Sequence, residues 1–187
     1  MKTTTFEKVI LTNFIFLCDK YNFKITISQN SYIRYESDIL FINFIYDDKR
    51  SYEIGIEIGQ LKNETIGYNL FEILQYFQHS ESNRYSLIQT SDIDTLSQII
   101  FKISKIIDEC IVKILADFKN IFVELLKQRT INSAEYTLNI NLSVAREKAN
   151  IAWKEKKYQC FIDLLTPYKK ALSKSEILKL NYAEKKI

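Results

Sequence analysis

Residues 46–59, YDDKRSYEIGIEIG, run from a polar turn into a strand that alternates without a break. Tyr52, Ile54, Ile56 and Ile58 project to one side and Glu53, Gly55, Glu57 and Gly59 to the other, as the two-residue period of a strand requires. An antiparallel sheet with one hydrophobic face follows. Upstream, residues 23–28, 31–36 and 38–46 read as three more strands, and the short connections make the set a four-stranded meander. The third of these is apolar on both faces, with Leu40, Ile42, Phe44 and Tyr46 on one and Ile39, Phe41 and Ile45 on the other. The face bearing Glu53 and Glu57 therefore carries large apolar side chains in either register. Gly55, between the two glutamates, leaves a dip that a neighbour or a partner could fill.

Outside the sheet the pattern is helical. Phe6, Val9, Ile10, Phe14, Leu17 and Tyr21 predict a helix over 4–21, and Leu70, Ile73, Leu74 and Phe77 a short one over 69–78. Ser91 is the expected cap of a long helix from 92 to about 127, free of Gly and Pro, with a seam Leu96, Ile99, Ile103, Ile107, Cys110, Ile114, Phe118, Ile121 and Leu125. Such a helix is on the order of 50 Å long, more than the sheet can cover. Its seam over 103–121 could pair with a second copy as a homodimer, although Ile100, Ile106 and Ile111 widen the stripe and favour burial within one chain. After an irregular segment over 129–142, three short helices follow near 143–155, 157–165 and 173–186. The expected fold is α+β, with a helix and antiparallel sheet over 1–80 and a helical region over 81–187, packed as one compact protein.

Composition bounds the class. Hydrophobic residues make up 47% and charged residues 26% of 187, with three Gly and one Pro, which describes an ordered globular chain. Phe, Tyr, Met, Ile, Asn and Lys account for 88 residues, the signature of an A/T-rich codon supply such as a bacterial genome can have, so lysine runs carry less weight than usual. Charge is uneven: residues 141–187 hold 11 basic and 5 acidic side chains, against 9 and 11 in residues 1–90. Cys18, Cys110 and Cys160 stand far apart in apolar helical patterns and read as buried reduced thiols. Leu17 is too large for the residue before a lipoprotein cysteine, and no run reaches the roughly 18 apolar residues of a membrane span. These features suit a soluble, unprocessed, cytoplasmic protein.

Catalytic sets are hard to assemble from this sequence. His79, the single histidine, sits in the local HSES run without distributed partners and reads as a helix-end residue. Glu53 and Glu57 stand roughly 13–14 Å apart by strand rise, too far for an acid/base pair. Asp47 and Asp48 read as turn residues rather than metal ligands, and Gly55, Gly59 and Gly67 do not form a phosphate loop. The expectation is no enzyme activity, no cofactor and no metal. The C-terminal region is basic, with Arg146, Lys148, Lys154, Lys156, Lys157, Lys169, Lys170, Lys174, Lys179, Lys185 and Lys186 interleaved with Trp153 and Tyr158. The stripe Ala145, Ala149, Ala152, Tyr158, Phe161, Ile162 and Leu165 gives these lysines a second reading, as the solvated back of a packed helical hairpin. Its A-x2-A-W-x4-Y-x3-I-x2-L spacing resembles one unit of a tetratricopeptide-type hairpin, without further copies.

FIFL at 14–17, Tyr21, Phe23, Tyr35, Ser37 and the YDDKRSYEIGIEIG block together resemble the opening of small bacterial proteins of the polymorphic-toxin immunity type, over about the first 75 residues. The resemblance implies a role, binding and blocking a cognate toxin, and no catalytic residues. A protein partner, contacted by Tyr46, Asp47, Asp48, Arg50, Glu53 and Glu57, is the leading expectation. The alternative is a nucleic-acid-binding regulator using Arg146, Lys154, Lys156, Lys157, Lys169 and Lys170.

Overall fold

The computed structural model describes residues 5–63 and 66–187; residue 4, where the first expected helix begins, lies outside them. Two helices, α1 (Thr5–Asn13) and α2 (Ile15–Tyr21), replace the single one expected. The break is at Phe14, whose ring is fully buried 4.2 Å from that of Phe44. Asn22 closes α2 in the left-handed conformation (φ 56°), which Asn tolerates better than most residues.

The sheet is an antiparallel meander of five strands in the order β1 (Lys24–Gln29), β2 (Tyr32–Glu36), β3 (Leu40–Tyr46), β4 (Ile54–Gln60) and β5 (Gly67–Asn69). The fifth strand, absent from the expected set, is three residues long and too short to show a period. Opposed pairs Ile33↔Phe44, Tyr35↔Ile42, Phe44↔Ile56 and Ile42↔Ile58 put one face in a single apolar layer. Phe41, Asn43 and Ile45 fall on the other face, opposite Gly59, Glu57 and Gly55. β4 starts at Ile54, so Tyr52, expected on the buried face, instead sits in the turn at φ 54° and is exposed.

The helices settle which face is covered. After α3 (Leu70–Tyr76), α4 (Ile93–Ala116) buries Leu96, Ile100, Ile103, Ile107, Cys110, Ile111 and Ile114 in one core with the isoleucine face of the sheet and with Phe6, Ile10 and Leu17. Phe41 is buried but lies outside that core. The cap of α4 is Asp92, whose carboxylate accepts from the Thr95 amide at 2.8 Å, rather than Ser91. The long helix does not run to 127. Asp117 leaves helical geometry (φ −146°, ψ 47°), and α5 (Phe118–Lys154) then continues for 37 residues. The irregular segment expected over 129–142 and the helix expected over 143–155 are both parts of α5. With no Gly or Pro inside it, nothing in the backbone stops this helix.

Two compact units result, Met1–Lys127 and Gln128–Ile187. The division expected at residue 80 falls inside the first unit, because α4 belongs to the sheet's own core. In the second unit α5 is followed by α6 (Tyr158–Leu165), a 3-10 segment Thr166–Ala171 and α7 (Lys174–Glu184). Its core is Leu142, Ala145, Ala149, Ala152, Phe161, Leu165, Leu172, Leu180 and Ala183. Ser173 and Glu176 form a capping box on α7, and the Arg146 guanidinium grips Glu176 with two bonds of 2.6 and 3.0 Å. All three cysteines are free thiols, but only Cys110 is fully buried, and burial pushes its thiol up to about 11. Cys160 is exposed, contrary to expectation, since Phe161 and Leu165 take the inward positions of α6.

Candidate partner-binding site

The sheet residues expected to meet a partner do not form one surface. Tyr46 lies on the core face, its ring stacked 5.1 Å from Phe6 and its hydroxyl donating to the Thr90 carbonyl at 2.9 Å. Asp47 builds the turn. Its carboxylate accepts from the amides of Ser51, Lys49 and Arg50 and from the Ser51 hydroxyl at 3.0–3.3 Å, bonds that hold it below the usual carboxylate range. Asp48 and Arg50 are exposed on that turn. Glu53 is exposed and pairs with Gln89 in an isolated antiparallel bridge. Glu57 is half-buried on the opposite face from Tyr46, in a chain where the Tyr32 hydroxyl donates to Asn43 (2.9 Å) and the Asn43 amide donates to Glu57 (3.2 Å). Beside it the Arg34 guanidinium covers the Phe41 ring at 4.4 Å. Of the expected apolar row on this face, Ile39 precedes β3 and packs against the main core, Phe41 is already covered, and Ile45 lines the Gly55 dip itself.

A different surface gathers exposed apolar and charged groups, at the far end of α5. Lys156 takes the left-handed conformation (φ 57°) after the last helical turn. Its amide bonds to the Trp153 carbonyl at 3.1 Å, and the Lys157 amide to that of Ala152 at 2.9 Å, a Schellman closure that turns the chain into α6. Ala145, Ala149 and Ala152 are small enough for α6 and α7 to pack closely on α5, which leaves the larger rings at the rim. There Trp153 lies 4.9 Å from Phe161 and 5.8 Å from both Tyr158 and Tyr182. Around it is a hollow of about 580 Å³ lined by Trp153, Lys154, Lys156, Tyr158, Leu178, Lys179 and Tyr182. Leu178 is 69% and Tyr182 47% exposed, and the Lys179 ammonium stands 5.4 Å from the Trp153 ring centre. Three ammonium groups therefore ring an apolar floor, and its lining includes no carboxylate.

The six residues of the nucleic-acid alternative divide. Lys154 and Lys156 line the hollow. Arg146 is engaged by Glu176, and the Lys157 ammonium by Glu155 at 2.7 Å. Lys169 and Lys170 are exposed in the 3-10 segment, outside the hollow's lining. Leu178 and Tyr182 escaped sequence reasoning, although their four-residue spacing, opposite the buried Leu180 and Ala183, marks an exposed apolar pair on α7. His79 is half-buried at the end of α3, where its Nδ1 accepts from the Glu81 amide at 3.2 Å. Among the described residues no helix is long and apolar enough to cross a membrane. No protein-family model, curated protein or solved structure matches this chain.

Proposed function

We propose that this chain is a non-enzymatic binding protein of the immunity, antitoxin or adaptor kind, and that an acidic and apolar patch of a protein partner seats in the hollow around Trp153. The observation that carries this reading is the exposure of Leu178 and Tyr182 beside Trp153 within a ring of Lys154, Lys156 and Lys179. Trp and Tyr are the side chains that contribute most at interface centres, and rim charges steer the encounter and select the partner's sign. Lysines select an acidic partner face, unlike the basic face of a nuclease toxin. The rings lie tilted or edge-on against one another, and Lys179 stands over Trp153. That arrangement offers few open ring faces for stacked bases and favours a protein over a nucleic acid.

The test is binding of purified products of neighbouring genes to the wild type and to a Lys154→Glu/Lys156→Glu/Lys179→Glu variant. These are surface changes of about 0.5 kcal/mol or less each, so the fold persists. A partner that binds the wild type and is lost by the variant supports the reading. Equal binding by both, or oligonucleotide binding that falls steeply with salt in place of protein binding, overturns it.

A further inference from the structure

The helix α4 turns its seam inward. Ile103, Ile107 and Ile114 are fully buried, so the stretch expected over 103–121 to pair with a second copy is not available for it. On the flank of that seam Ile99 and Lys102 stand one turn apart and border a hollow of about 350 Å³, whose other side is formed by the chain between Glu81 and Gln89. That chain is firmly held. The Ile54 amide bonds to the Ile88 carbonyl at 2.8 Å, the Thr90 amide to the Tyr52 carbonyl at 3.0 Å, and Glu53 pairs with Gln89, so residues 88–90 run extended beside the start of β4. Alternation then turns Ile88 into the core and sets Leu87 and Gln89 on the other side, along the hollow. Leu87 is left 57% exposed there.

The lining sorts into an apolar wall and a set of polar groups with nothing to bond. Leu87, Ile88, Ile99 and the half-buried Tyr85 ring make the wall. Of the charged groups, the Arg84 guanidinium and the Glu81 carboxylate engage each other at 2.8 Å. Lys102 has no carboxylate partner, and the Tyr85 hydroxyl and the Gln89 side-chain amide have no hydrogen-bond partner among the described residues. Burial holds the Tyr85 phenol above its ordinary value, so it stays protonated and can donate. One uncompensated positive charge and two neutral donors beside an apolar wall match a monoanion with an apolar body. We infer that this hollow binds a small aromatic carboxylate, its ring against Leu87, Ile88 and Ile99 and its carboxylate taken by the Lys102 ammonium and the Tyr85 hydroxyl. A cation of the same shape would meet Lys102 and find the one carboxylate of the lining already occupied by Arg84. The volume is at the small end of ligand cavities, which run from about 300 to 1,000 Å³, and suits a single ring system rather than a large cofactor. The site lies in the first unit and does not depend on the reading made for Trp153.

Amide-resolved NMR of the full chain tests this, with titration by indoleacetate and then by indole and tryptamine, the neutral and cationic forms of the same ring. Saturable shifts are expected with indoleacetate at residues 84–89 and 99–102, with about tenfold weaker affinity for indole and no binding of tryptamine. Lys102 is exposed, so Lys102→Glu leaves the fold intact and should abolish the preference for the carboxylate. Tyr85→Phe should weaken indoleacetate several-fold and leave indole unchanged, and Lys179→Glu, in the second unit, should alter neither. Shifts that fail to saturate at millimolar indoleacetate, or that gather around Trp153 instead, overturn the inference. So does equal binding of indoleacetate and tryptamine, or indoleacetate binding that Lys102→Glu leaves untouched.

Discussion

The two units solve the same problem, covering an apolar face, with opposite means. The first packs large side chains, isoleucines from β4 and α4 with Phe6, Phe14 and Phe44, on one face of a sheet, and its polar face is tied up in Tyr32, Asn43, Glu57 and Arg34. The second has nine buried side chains, four of them alanine. Where α5 offers the interior mainly alanines, large apolar residues remain at the rim, and this is where Trp153, Tyr158, Leu178 and Tyr182 collect. The charges follow the same division: 14 basic and 17 acidic residues in 1–127, against 12 and 6 in 128–187. On the proposed reading, the first unit is the scaffold and the second offers the contact surface.

Substitutions in the first unit should therefore act on stability. Ile56, 2% exposed, becomes an unpaired buried charge in Ile56→Asp, and a loss of about 4 kcal/mol or more should unfold that unit in thermal melts. Gly59→Ala ranks next. A Cβ there would run into the Phe41 ring and the Ile66 carbonyl, so a loss of about 2–3 kcal/mol is expected by urea denaturation. Gly55→Ala, where a Cβ meets only the Ile45 side chain at ordinary contact distance (3.5 Å), should stay within about 0.5 kcal/mol of wild type. Equal effects at the two glycines would break the picture of a closed sheet face around Phe41.

Acid should separate the units. The Arg146 guanidinium, with help from Ser173, holds the Glu176 carboxyl down from 4.5 to about 2. Its folded value is depressed, so its contribution is complete above about pH 4.5 and is lost as pH falls toward 2. Trp153, the one tryptophan, lies in the second unit and reports its acid transition by fluorescence. In Glu176→Gln the part of that transition between pH 4.5 and 2 should flatten. A smaller effect belongs to the sheet glutamates: Glu57→Lys removes the acceptor of the nearly buried Asn43 amide and should cost about 1 kcal/mol, while Glu53→Lys should cost almost nothing. The last is a gain. Lys156→Gly relieves a left-handed backbone and should stabilise the second unit by about 0.5–1 kcal/mol, read as a slightly raised melting temperature, while weakening partner binding.

Much of this fold was legible because it is periodic. Strands β1 to β4 and helices α3, α6 and α7 follow from alternation, caps and breakers in the sequence. The break at Asp117 and the continuity of α5 were not, since neither involves Gly or Pro, and because the apolar stripe of α5 is interrupted over the exposed residues 130–141. Its early stripe, Ile121, Phe122 and Leu125, faces one core and its later one, Leu142, Ala145 and Ala149, another. A reader of one stripe sees irregular sequence between them. The candidate site was half legible. Trp153, Lys154, Lys156 and Tyr158 are neighbours in sequence, but Leu178, Lys179 and Tyr182 arrive from α7 and join them only through tertiary packing. The sheet residues divide between two faces and a turn, because alternation assigns a side chain to a face and says nothing of what that face bonds to.

The position of Trp153 allows the central claim, that the second unit's hollow is the binding surface, to be measured where it is made. Trp153 emission is followed while the full chain is titrated at low salt with a synthetic peptide of alternating Glu and Phe, and separately with oligothymidylate. The expected result is a saturating change with the peptide, lost in Lys154→Glu/Lys156→Glu/Lys179→Glu, and none with oligothymidylate. Emission unmoved by the peptide, or a saturating change with oligothymidylate alone, would contradict it.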